Sequence, residues 1–298
     1  MRIPSSPYLL LVVTMLCWAG NFVIGRAVHD DIPPLSMTFW RWLTTAAVLL
    51  PLAGRGVWAE RALILRHWRL MTVLAAAGAA IYHACVYTAL SMTTAVNVSL
   101  VFAISPVVIP MVSYVLDRER IAPRQMVGII FSLAGVVAII TRADAATLMG
   151  LRFNAGDLWM VLGLGAWALF AVLLPRCPAR VSPSGLLLVV SVLGTVMLAP
   201  FYAWELTVRG GFAVSPLSVL SVGYVAVFSG VIAMTLWNRA VIAVGPAKAG
   251  LFTHLTPVFA IFLAIVLLGE TLQPFHVAGT AFIVFGIFLT IMTPRSRA

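Results

Sequence analysis

The stretches 105–135, SPVVIPMVSYVLDRERIAPRQMVGIIFSLAG, and 256–286, TPVFAIFLAIVLLGETLQPFHVAGTAFIVFG, align without a gap at a shift of 151 residues. In that register Ser105-Pro106 falls on Thr256-Pro257, Glu119 on Glu270, Pro123 on Pro274, Gly128 on Gly279, Phe131 on Phe282 and Gly135 on Gly286. Landmarks this spread out, all in one register, argue for duplication rather than chance. A second match, at a shift of 149, brings Cys17-Trp18-Ala19 onto Ala166-Trp167-Ala168. The chain therefore reads as one membrane unit made of two tandem repeats, residues 1–143 and 156–293.

Composition sets the environment of these repeats. Of 298 residues, 62% are hydrophobic and 9% charged, against roughly 45–50% and 25% in a soluble domain. That balance excludes a soluble enzyme. Apolar segments long enough to cross a bilayer are expected near 8–28, 35–53, 68–90, 95–116, 123–141, 156–174, 184–205, 215–237, 246–268 and 274–293. The expected fold is an all-α membrane protein with ten transmembrane helices, five in each repeat. Five is odd, so the second repeat must be inverted relative to the first. This is a common plan among secondary transporters that work by alternating access.

The arginines carry the topology. With alternate connections assigned to one side, that side holds Arg2, Arg55, Arg61, Arg66, Arg69, Arg118, Arg120, Arg124, Arg176, Arg180, Arg239, Arg295 and Arg297. The other holds Arg142, Arg152 and Arg209, with Arg26 and Arg41 close to the same face. The positive-inside bias then puts both termini in the cytoplasm. A bacterial inner membrane is the expected location, and the N-terminal apolar run is expected to be a retained first helix rather than a removed signal peptide. Scattered arginines do not form the basic stripe of a nucleic-acid surface, so no nucleic acid is expected as a partner. Cys17, Cys85 and Cys177 read as small buried hydrophobes.

No phosphate loop for ATP, no H-E-x-x-H and no carboxylate pair within a span is present, so neither an enzyme nor an ATP-driven pump is expected, and no cofactor or metal. All nine acids fall in connections or at helix ends, which leaves His83 and His254 as the titratable groups for any proton coupling.

Trp18-Ala19-Gly20-Asn21-Phe22, the prolines followed thirteen residues later by Glu119 and Glu270, and the helices of Gly128 and Gly279 resemble the drug/metabolite transporter superfamily, in its ten-helix EamA-type branch. The resemblance spans nearly the whole chain. It implies export of small metabolites, and the aromatic-rich helices are most similar to those of bacterial exporters of aromatic amino acids. A nucleotide-sugar or other anionic metabolite carrier, using Lys248 with arginines such as Arg26 or Arg41, is the alternative. Small-molecule substrate and membrane lipids are the expected partners, with a homodimer open.

Candidate substrate contacts follow from helical spacing. Ala76, Ala80, His83 and Tyr87 share one face of a regular helix, with Tyr82 adjacent. Trp18 with Asn21, and Trp167 with Phe170, occupy corresponding helices and could sandwich an apolar ring. The counterpart of Asn21 is Phe170, so a site using Asn21 is asymmetric. Lys248, the only lysine, suits either a substrate carboxylate or a headgroup-anchored snorkelling stem. His254 stands three residues before Pro257, where it could meet freed carbonyls. Pro106 and Pro257 should bend or unwind the fourth and ninth helices at equivalent places. Trp237 reads as an interfacial anchor. The small-residue faces around Gly128, Ser132 and Gly135, and around Gly279 and Gly286, read as scaffold or dimer contacts.

Overall fold

The computed structural model describes residues 6–119, 121–150, 152, 154–268 and 271–292, so Arg2, Arg120, Glu270, Arg295 and Arg297 lie outside the described residues, as does the side chain of Arg26. Among the described residues all regular structure is helical. Ten long segments follow one another: α1 (Pro7–Ala27), α2 (Pro34–Ala59), α3 (Trp68–Met92), α4 (Ala95–Phe102, then Ser105–Asp117), α5 (Pro123–Ile140), α6 (Ala155–Leu173), α7 (Pro183–Arg209), α8 (Pro216–Val244), α9 (Pro246–Leu251, Phe252–His254 and Leu255–Leu268) and α10 (Pro274–Ile291). All but α2 are long and apolar enough to cross a membrane. α2 is diluted by Arg41, Arg55 and several hydroxyls, yet it packs along the length of α7.

Local chemistry explains the starts and stops. α1, α2, α5, α7, α8, α9 and α10 each begin on a proline, whose fixed φ and missing donor suit the first helical position. Asn154 and Asp157 close a capping box at α6, and the Ser182 hydroxyl accepts from Gly185 N at α7, satisfying amides that would otherwise be orphaned. Inside the bundle, α4 breaks at Ala103–Ile104, just before Pro106. α9 tightens to a 3-10 turn over Phe252–His254, just before Pro257.

The two halves are inverted, and α5 and α10 show it directly. A Cβ on Gly128 would lie 2.5 Å from the carbonyl oxygen of Gly286, and one on Gly135 2.5 Å from that of Gly279. Residues early in one helix thus meet residues late in the other, so these equivalent helices run antiparallel with their backbones in close approach. The small-residue faces are therefore spent on each other within the chain. Phe131 and its repeat mate Phe282 stack alongside, with centroids 6.0 Å apart.

A second symmetric feature was not legible in the sequence. α3 winds as a π-helix over Ala75–Ile81 and α8 over Val225–Ala233, at equivalent places in the two repeats. The wider turn changes the phase of α3. Ala77, Gly78 and Ala79 are buried while Ala76 and Ala80 are only partly so, which corrects the single face expected for Ala76, Ala80, His83 and Tyr87. Such interruptions often mark functional positions.

Candidate substrate site between the two halves

At the centre, equivalent helices converge on an aromatic cluster. The rings of Trp18 (α1), Trp167 (α6) and Trp237 (α8) form a triangle with each pair of centroids 5.2 Å apart. Tyr82 packs on Trp167 at 4.9 Å and Phe170 at 5.5 Å. Gly78 is needed here, since a Cβ would overlap the Phe170 ring. Trp237 is fully buried, which corrects its reading as an interfacial anchor. α8 continues to Val244 rather than ending near 237, so the indole lies well inside the helix.

Beside this cluster is a cavity of about 20 Å³ lined by Trp18, Asn21, Arg41, Tyr82, His83, Val86, Phe102, Trp167 and Ser229. It brings together five of the residues singled out from sequence: Trp18, Asn21, Tyr82, His83 and Trp167. Tyr87 joins through its hydroxyl, which donates to Asn21 Oδ1 at 3.0 Å. Phe170 supports the wall through Trp167. The volume has room for a water and little else, so the rings expected to hold a cargo ring here hold one another. His83 Nδ1 bonds Gly78 O at 2.9 Å inside the π-turn, and its ring stands edge-on to Trp42 at 5.1 Å.

The residue that sequence reading misplaced is Arg41. Expected near a membrane face, it is 1% exposed and stands two turns inside α2. Nη1 donates to Asn21 Oδ1 at 2.9 Å and to Tyr87 Oη at 3.2 Å, and Nη2 to Ser229 Oγ at 3.3 Å. Every partner is neutral, Nε has none, and among the described residues no carboxylate comes within ion-pairing distance. The clue in the sequence was its place on the buried stripe Thr38, Arg41, Trp42, Thr45 and Leu49, a core pattern with a guanidinium in it.

His254 has a different task. Its Nε2 meets Ala103 O at 2.7 Å and its Nδ1 meets Ser132 Oγ at 2.6 Å, while Ser105 Oγ and Thr253 Oγ1 pair at 2.9 Å. Ala103 is the repeat mate of His254, so the breaks of α4 and α9 are laced together where the halves meet. Ala103, Thr253 and His254 border a second, larger cavity of about 260 Å³ that also touches Ala19, Phe102, Pro257 and Ile261. Phe102 is common to the linings of both cavities. Pro106 is buried at the start of the second piece of α4. Lys248 sits in the first turn of α9 and lines neither cavity.

Of the acids, Glu205 departs from expectation. It is 3% exposed and accepts from Leu35 N at 3.1 Å, Ser36 N at 2.6 Å and Ser36 Oγ at 2.8 Å, capping α2 from α7. Glu119 accepts from Ser113 Oγ at 2.8 Å, and Asp117 pairs with Arg176.

The sequence profile described as the EamA-like transporter family matches residues 5–141 and again 154–292. A protein of Archaeoglobus fulgidus named an uncharacterized transporter is 27% identical over 96% of this chain and 97% of its own. A protein of Streptantibioticus cattleyicolor named a probable terminal-alkyne amino-acid exporter is 26% identical over 94% of this chain and 91% of its own. A crystal structure with 21% identity superimposes with a TM-score of 0.73 over 95% of both chains, which supports the fold.

Proposed function

The chain belongs to the EamA-like transporter family, and from that premise we propose that it is a secondary transporter exporting small amphipathic metabolites, aromatic amino acids foremost, by alternating access. In this reading it resides in the bacterial inner membrane with both termini in the cytoplasm. The observation that carries it is the cavity between the inverted halves, walled by Trp18, Tyr82 and Trp167 and edged by Asn21, Arg41, His83 and Ser229. Apolar walls with a few convergent polar groups are what a small amphipathic ligand requires. The relative named an amino-acid exporter supports the substrate class.

At about 20 Å³ the site is contracted, so cargo binds as the helices separate and the aromatic rings part. Rocking of one half against the other would then expose the site to each face in turn. The test is counterflow in proteoliposomes loaded with unlabelled phenylalanine and given labelled tracer outside. Accumulation with phenylalanine inside, and none with UMP inside or in empty vesicles, is expected. Accumulation driven by UMP would replace this reading with that of a nucleotide-type anion carrier, for which Arg41 would be the phosphate contact.

A further inference from the structure

A buried guanidinium keeps its charge, and burying a charge is costly unless it is paired or fully hydrogen-bonded. Arg41 is neither. It has five N–H donors. Nη1 spends its two on Asn21 and Tyr87, and Nη2 spends one on Ser229. What is left is Nε–H, which is buried and has no partner, and one N–H of Nη2, a pair of donors that one carboxylate takes through two parallel hydrogen bonds when they share an edge of the fork. The group lines the cavity, and Asn21 and Tyr87 fix its orientation through Nη1. Among the cavity's lining residues, no side chain is acidic, so nothing there offers an ion pair to an ammonium group.

We infer that Arg41 is the carboxylate anchor of this site, and that the carrier selects monocarboxylates with an apolar side chain whether or not they bear an α-amino group. This rests on the transporter reading above and narrows it. The carboxylate satisfies the Nε/Nη2 edge and neutralises the guanidinium. The apolar part takes the space opened among Trp18, Tyr82 and Trp167. The ammonium of an amino acid finds only neutral acceptors and indole faces, so its removal costs little.

The test is binding to the purified protein by tryptophan fluorescence, since the indoles of Trp18 and Trp167 line the site, titrating phenylalanine, 3-phenylpropionate, phenylalaninamide, phenethylamine and hexanoate separately. The expected result is that 3-phenylpropionate binds within a few-fold of phenylalanine, while the amide and the amine bind about tenfold more weakly or worse, the loss of a charge-assisted hydrogen-bond pair. In Arg41→Gln the difference between phenylalanine and its amide should vanish, and Arg41→Lys should recover only part of it. A purely structural arginine would lower all affinities together and leave the ratio unchanged. Equal binding of phenylalanine and phenylalaninamide overturns the inference, as does a ratio that survives in Arg41→Gln. If Arg41→Gln does not fold, the comparison of ligands on the unmodified protein still decides. Binding of hexanoate and 3-phenylpropionate without phenylalanine would sustain the anchor and sink the amino-acid reading, whereas phenylalanine binding shared by the amide would do the reverse.

Discussion

Gly128→Ala isolates one contact between the two halves. The new Cβ would lie 2.5 Å from Gly286 O and 2.6 Å from Thr290 Oγ1, about 1 Å inside ordinary van der Waals contact. A backbone carbonyl on a neighbouring helix cannot rotate away, so α5 and α10 must separate locally. Overpacking of this kind costs about 1–3 kcal/mol. Alanine is also the better helix former by about 1 kcal/mol, so the variant alone would understate the clash. Gly165→Ala in α6 supplies the correction, because a Cβ there meets nothing within 4 Å. The helix-propensity gain is common to both, and the difference between them should be about 1–3 kcal/mol. Unfolding of the detergent-purified variants by SDS titration, followed by tryptophan fluorescence, reads that difference. Equal stabilities for Gly128→Ala and Gly165→Ala would refute the antiparallel contact of α5 with α10 and the inversion argued from it.

Other outcomes follow from the same contacts. Glu205→Gln keeps the shape but loses the charge that caps α2, and should cost about 2 kcal/mol in the same titration; a variant as stable as the parent would discount the cap. Trp167→Ala removes a ring packed against four others and should cost about 3–5 kcal/mol, so Trp167→Phe is the variant in which reduced transport reports on the cavity wall. Phe102→Ala should merge the two cavities and speed efflux from loaded proteoliposomes without external substrate; unchanged efflux would argue against Phe102 as a partition between them. Burial pushes the Cys177 thiol, outside the spans, up to about 12. Since the thiolate is the nucleophile, its maleimide labelling should be slow at neutral pH and accelerate as pH is raised, which mass spectrometry would follow.

Much of the architecture was written in the repeats. The 151-residue register aligns Gly128 with Gly279 and Gly135 with Gly286, and in the antiparallel pair α5 and α10 each glycine meets the mate of the other, Gly128 against Gly286 and Gly135 against Gly279. Pro106 and Pro257 sit where α4 and α9 are interrupted. Less of the site was legible. Hydropathy averages over a window, so it assigned Arg41 to a nearby face, although the side chain is held in the centre by partners on α1, α3 and α8. The π-turns of α3 and α8 consist of small and aliphatic residues with a single aromatic, Phe228, which carry no π-specific signal, and they shift the phase on which helical spacing depends. Trp237 was misplaced because α8 runs several residues beyond the apolar window. Trp18, Asn21, His83 and Trp167 do line one cavity: His83 stood out for the small residues beside it, and the others for their spacing on corresponding helices of the two repeats.

Alternating access requires that the cavity between the halves be reached in turn from the two sides of the membrane. Val86→Cys, on the cavity wall and 2% exposed, in a protein lacking Cys17, Cys85 and Cys177, reports on it. In oriented vesicles an impermeant maleimide should label this cysteine from either side, with phenylalanine changing the ratio of the two rates. Labelling from one side alone, with and without phenylalanine, would contradict alternating access at this cavity.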